Sequence, residues 1–144
     1  MNIINLMVVS CFFINGGIYF PLGKSSYNLN PGFGIGGGKY LKNFEILLQF
    51  KSFNLERNAN FSIFSSGFSF PYKFFKNFYT GFSIFYSFIK LKKNNLEEIG
   101  GTFSINTFLK ICSENKKFRS GFELGFLKGE NKNIFLIGFL IEFK

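Results

Sequence analysis

The sequence predicts an all-β chain folded as a small antiparallel up-and-down barrel of about eight strands. Three observations predict it. From Asn133 to Phe143 the chain alternates strictly: Phe135, Ile137, Phe139, Ile141 and Phe143 fall on one face, and Leu136, Gly138, Leu140 and Glu142 on the other, because successive strand side chains point to opposite sides. The same alternation recurs between short polar breaks, with no helical period after Lys24. At 144 residues the chain is one domain, large enough for a single small barrel or sandwich.

The elements follow in order. Tyr27 to Tyr40 sets Tyr27, Leu29, Phe33 and Ile35 against Asn28, Asn30 and the glycines Gly32, Gly34, Gly36 and Gly38. After a Lys42-Asn43 turn, Phe44 to Arg57 sets Phe44, Ile46, Leu48 and Phe50 against Glu45, Gln49 and Lys51. Asn60 to Tyr72 sets Phe64, Phe68, Phe70 and Tyr72 against Ser65, Gly67 and Ser69, with Phe61 and Ile63 breaking the pattern. Phe78 to Lys92 sets Phe82, Ile84, Tyr86 and Phe88 against Gly81, Ser83 and Ser87, with Phe85 and Ile89 as exceptions. Leu96 to Ile111 sets Ile99, Phe103, Ile105, Leu109 and Ile111 against Glu98, Gly100, Thr102, Ser104 and Asn106. Phe118 to Lys128 sets Phe118, Phe122, Leu124 and Phe126 against Arg119, Gly121, Glu123 and Gly125. With the final segment these make seven strands, each longer than the roughly 9–11 residues a tilted transmembrane strand needs. An even count requires one more, and Gly17 to Lys24 is the candidate: Ile18, Phe20 and Leu22 alternate, although Pro21 interrupts.

Composition decides which face meets what. Phenylalanine occurs 25 times, His and Trp are absent, and all eight acids are Glu. A genome rich in A and T accounts for abundant Phe, Lys, Asn and Ile, but it does not place Phe on alternate positions. The second face is mainly Gly, Ser, Thr and Asn. Small residues suit a narrow lumen of about eight strands, which side chains just fill, and do not suit a solvated exterior. Each large apolar side chain withdrawn from water contributes about 1.5–3 kcal/mol; left in water, the Phe face would be an aggregation surface. The expected fold is therefore inside-out, a transmembrane β-barrel. Phe103, Phe122, Phe126, Phe135, Phe139, Ile141 and Phe143 face lipid, and Gly100, Ser104, Gly121 and Gly138 face the lumen. The charges on the small-residue face, Glu45, Lys51, Glu98, Arg119, Glu123 and Glu142, are expected to form a paired polar network plugging the lumen, since isolated buried charges are costly.

The pattern of Asn133 to Phe143 resembles the closing strand of bacterial outer-membrane β-barrels, which ends in an aromatic; here Lys144 leaves Phe143 penultimate. Over Tyr27 to Phe143 the chain resembles the small eight-stranded outer-membrane group. That resemblance implies residence in the outer membrane of a Gram-negative cell envelope, engagement of the barrel-insertion machinery through the last strand, and a role as a structural or surface-interaction protein. Turns short on both rims leave the particular role open. Two other readings compete: a soluble or lipid-anchored lipocalin-like barrel holding an apolar ligand, and a lipid A-modifying enzyme.

The remaining motifs carry less. The net charge is +9, but Lys73, Lys76, Lys92, Lys93, Lys116, Lys117, Lys128 and Lys132 gather at turns. That distribution suits rims meeting membrane lipids or lipopolysaccharide phosphates rather than nucleic acid. Residues 1–17 read as a signal peptide or N-terminal apolar segment: Ile3 to Ile14 is too short for a spanning helix, and Ser10, Gly16 and Gly17 are candidate cleavage positions, although no basic residue precedes the run. The barrel is assigned to 18–144. Val8-Val9-Ser10-Cys11 also matches a lipoprotein box, and Cys112 reads as structural. Gly32, Gly34 and Gly37 match G-x-G-x-x-G without the strand-to-helix context that a dinucleotide site needs. With neither His nor Asp there is no catalytic triad, His ligand or Asp dyad. No catalytic, cofactor or metal residue is assigned, and a monomer is expected. Two registers follow from turn symmetry. Gly129 to Lys132 sets Arg119 opposite Glu142 and Phe122 opposite Phe139, and Lys93-Asn94 sets Lys90 opposite Glu97.

Overall fold

The computed structural model describes residues 12–22, 29–55, 59–114, 117–128 and 133–144. Eight strands run β1 (Phe12–Leu22), β2 (Gly32–Tyr40), β3 (Glu45–Leu55), β4 (Ala59–Phe75), β5 (Phe78–Lys93), β6 (Leu96–Cys112), β7 (Phe118–Leu127) and β8 (Ile134–Phe143). Each pairs with its sequence neighbours, and β1 closes on β8, giving a closed antiparallel up-and-down barrel. Closure pairs the backbone of every strand on both sides, which is the condition a sheet must meet in hydrocarbon.

The first strand begins at Phe12 rather than Gly17, so the segment Phe12 to Gly17, assigned by sequence to the N-terminal apolar stretch, lies inside β1. Residues 1–11, including Ser10 and Cys11, lie outside the described residues. Pro21 is accommodated because the β1–β2 pairing ends at Tyr19↔Gly32, before it is reached. The expected strand from Tyr27 starts instead at Gly32, with Leu29 making an isolated bridge to Leu55; Tyr27 and Asn28 lie outside the described residues, as does Arg57. The fourth strand runs on past Tyr72 to Phe75, leaving Lys76-Asn77 as a tight turn.

The Gly129 to Lys132 loop also lies outside the described residues, but the pairing it predicts is present: Arg119↔Glu142, Phe122↔Phe139 and Phe126↔Phe135 are direct partners. The β5–β6 hairpin differs. Lys92, not Lys90, is opposite Glu97, and Lys90 is opposite Ile99. The turn is Asn94-Asn95, with Asn94 at φ 54°. Two-residue hairpins favour turns with positive φ at the first central residue, and Asn adopts that conformation more readily than Lys. The turn therefore centres one residue later than symmetry about Lys93-Asn94 implies. Lys90 still reaches Glu97 diagonally, with Nζ 3.2 Å from Oε1.

Side chains sort by parity. Phe103, Phe122, Phe135, Phe139, Ile141 and Phe143 point outward and are exposed, and Phe126, also outward, is half-buried against Phe135. Phe61, Ile63 and Phe85, which break the alternation in sequence, point inward and are buried, and Ile89 packs beside them half-buried. The lumen is therefore apolar at one end. Tyr19, Phe53, Phe61, Ile63, Leu127, Ile134, Leu136 and Leu140 form one cluster, with Leu29, Leu55, Ile89 and Leu91 against it. A smaller cluster of Phe13, Leu47 and Phe85, with Tyr40, lies toward the end holding Phe12 and Phe143. Tyr19 fits because its neighbours are glycines: a Cβ at Gly34 or Gly138 would collide with its ring.

Candidate functional site, the polar lumen

Between the apolar clusters, strand parity points charged side chains at one another. Lys51 on β3 reaches Glu123 on β7, Nζ to Oε1 3.2 Å, and Asn106 on β6 donates to the same oxygen at 2.7 Å. Lys110 on β6 donates to Oε1 of Glu142 at 2.9 Å. Arg119 on β7 bridges two strands. Its Nη2 donates to Oε1 of Glu45 on β3 at 2.9 Å, and its Nε lies 2.8 Å from Oε2 of Glu142. The second contact is an ion pair without hydrogen-bond alignment. All six charged side chains are buried, Glu45 to 1% and Glu142 to 2% exposure. Three cations face three carboxylates, so the cluster is electrically balanced. That matters because an unpaired charge at this depth costs several kcal/mol.

Aromatic rings complete the cation shells. Lys51 Nζ lies 4.5 Å from the centre of the Tyr19 ring, and Arg119 lies 4.7 Å from that of Tyr40, within reach of the ring quadrupole. On the β4–β6 wall, Ser65, Ser87 and Ser104 form a hydrogen-bonded row of 2.7 and 3.0 Å.

Of the sequence-selected charges, Glu45, Lys51, Arg119, Glu123 and Glu142 meet in this cluster. Glu98 does not. It is exposed, because the β5–β6 ribbon extends past β7: the β6–β7 pairing starts at Ser104↔Leu127, and Glu98 lies beyond it. Gly100 stands on the same extension, where an added Cβ meets nothing within 4 Å, rather than in the lumen. Sequence reading missed Lys110, although it shares the parity of Ser104 and Asn106 and so was within reach of the alternation alone.

No protein-family model matches the chain, and no curated protein matches it. Among solved structures, the N-terminal β-barrel domain of Pseudomonas aeruginosa OprF is similar at TM-score 0.65 and 14% identity, covering 93% of this chain and 96% of that one. Neisserial surface protein A matches at TM-score 0.60 and 11% identity, covering 92% and 96%. The Yersinia pestis outer membrane protein Ail, in a phospholipid bilayer nanodisc, matches at 0.62 and 11%, covering 92% and 97%. These identities carry the fold alone. The chain has the fold of the small eight-stranded outer-membrane β-barrels.

Proposed function

We propose that the protein resides in the bacterial outer membrane as a monomeric barrel with a plugged lumen, serving as a structural or surface-interaction protein. One observation carries the reading: the exterior is a continuous band of Phe, Ile and Leu, while Glu45, Lys51, Lys110, Arg119, Glu123 and Glu142 are buried inside. A water-soluble barrel distributes these groups the other way round. This arrangement supports closure rather than transport, because balanced ion pairs reach across the lumen, the Phe53–Phe61 cluster packs within it, and eight strands enclose a width that side chains can fill. The same packing argues against an apolar ligand held inside. No reaction is placed in the lumen, since its serines hydrogen-bond one another and the chain has no His to activate them. Lysines at both rims suit lipid phosphates, and the last strand, with its alternate apolar residues, suits recognition by the barrel-insertion machinery.

The test is cell fractionation combined with gel mobility before and after boiling. Recovery in the outer-membrane fraction as a detergent-extracted band that shifts on boiling is expected. A protein that stays soluble without detergent at native expression refutes the reading.

A further inference from the structure

We propose that the open edge of β6, from Leu96 to Gly101, docks an extended basic segment of a partner protein, which adds to the sheet as a further antiparallel strand. The proposal rests on the membrane-spanning reading above, which sets this edge in water beyond the hydrocarbon. The β3–β4, β4–β5 and β5–β6 pairings run on to Leu55↔Ala59, Ala59↔Lys93 and Lys93↔Leu96, whereas the β6–β7 pairing reaches only Ser104↔Leu127. A four-stranded sheet therefore rises past the β7–β8 rim, with β6 as its outer strand. Leu96 lies about 27 Å beyond Ser104 along the strand. Lys90, Lys92, Lys93, Glu97 and Glu98 are all exposed on this extension, a run of charge that belongs in water rather than in the belt of Phe and Ile below it.

Continuing the β6–β7 register would set Phe135, Ile134 and Asn133 opposite Leu96, Glu97 and Glu98, but Phe135 and Ile134 belong to β8 and pair with Phe126 and Leu127. The seventh strand thus cannot cover this edge, and among the described residues no other strand pairs with it. Every second residue turns its N–H and C=O away from β5, a row that only another extended backbone matches throughout. Natural edges are guarded by Pro, Lys or a bulge. From Leu96 to Phe103 there is neither Pro nor Lys, and the β5–β6 partners run in unbroken register. Side chains then select the occupant. Leu96 is 75% exposed and Ile99 69%, against 48% for Phe122 in the belt, and beyond the hydrocarbon a protein surface is what covers such groups. Glu97 is held by Lys90, but Glu98 has no cation within ion-pair distance among the described residues. A second copy of the same edge would bring acids toward acids, whereas a basic segment is complementary. The matching strand carries an apolar residue opposite Ile99 and, next to it, a cation opposite Glu98. Backbone hydrogen bonds give the affinity and these two positions the selectivity.

The experiment is amide NMR of the full chain, isotope-labelled and folded in detergent micelles. The probe is a capped octapeptide that alternates valine and threonine around one central lysine. Saturable shifts are expected at every second amide from Leu96 to Gly101, those pointing away from β5. The same peptide, N-methylated along its edge-facing side, should leave them unmoved. Glu98 is exposed, so Glu98→Lys should fold; it should weaken the lysine peptide about threefold and come to prefer a peptide with glutamate in that place. Unchanged binding of the N-methylated peptide, or shifts that ignore the alternation, overturns strand addition. Equal binding of the lysine and glutamate peptides to the wild type overturns the basic partner. Shifts of these amides with protein concentration alone assign the edge to a second copy and also overturn it. A chain that shifts on boiling but takes up no peptide overturns the docking edge and leaves the membrane reading standing; a chain that needs no detergent overturns both.

Discussion

At the scale of single residues, Arg119 carries the most consequence. It holds Glu45 and Glu142, which belong to strands on either side of the lumen. Replacing it with Ala leaves one carboxylate without its cation and the other dependent on Lys110 alone, so Arg119→Ala should cost about 3–5 kcal/mol in urea unfolding from liposomes. Lys51 and Glu123 provide the control. Lys51→Met and Glu123→Met should each destabilise the barrel, and the double variant should cost clearly less than their sum, because neither charge is then left alone. Additive losses would show that the pair is not coupled. Alternation in the sequence placed five of these charges on one face, but it says nothing about height along the barrel. Glu98 has the right parity and stands beyond the end of the neighbouring strand. The Arg119–Glu142 pair was legible from the β7–β8 register, but the Arg119–Glu45 pair was hidden, since those two residues lie on strands that share no register.

At the scale of elements, the β5–β6 hairpin shows how a turn residue overrides symmetry. Asn94 holds φ 54°, so Asn94→Val should cost about 1–2 kcal/mol whereas Asn94→Gly should be close to neutral. Cysteines introduced in pairs test the register directly: Lys92→Cys with Glu97→Cys should cross-link faster than Lys90→Cys with Glu97→Cys. The reverse order would restore the symmetric turn. Strand positions were legible because each outward face repeats every second residue. Phe61, Ile63, Phe85 and Ile89 read as defects because the inward face was expected to be small and polar throughout. In the structure Phe61 and Ile63, with Ile89 against them, pack in the lumen with Tyr19, Phe53 and Leu136, and Phe85 packs with Phe13 and Leu47; strand-by-strand alternation does not report what faces a residue across a barrel.

At the scale of the whole molecule, the inside-out arrangement predicts a depth-dependent response to charge. Phe139→Lys should cost about 2–4 kcal/mol if Phe139 lies near the midplane, and Ile99→Lys, on the hairpin extension, about 0–1 kcal/mol; equal costs would mean that the band is not a membrane belt. Purified monomer in planar bilayers should show no conductance, and stable ion-selective steps would overturn the plugged lumen. The pairing of β1 with β8 has a further consequence, for the order of events during folding. Seven of the eight strand pairs join sequence neighbours, but this one joins residues as far apart as Ile14 and Phe143. Contacts of such separation form late, after the loop entropy between them has been spent. Until β8 is synthesised and delivered, β1 and β7 both present open edges, each a template for pairing with another chain. The seam therefore makes assembly all-or-none: a chain lacking its final strand should aggregate rather than insert as a smaller barrel, and the rate of closure should set the time for which the chain needs protection from its own copies.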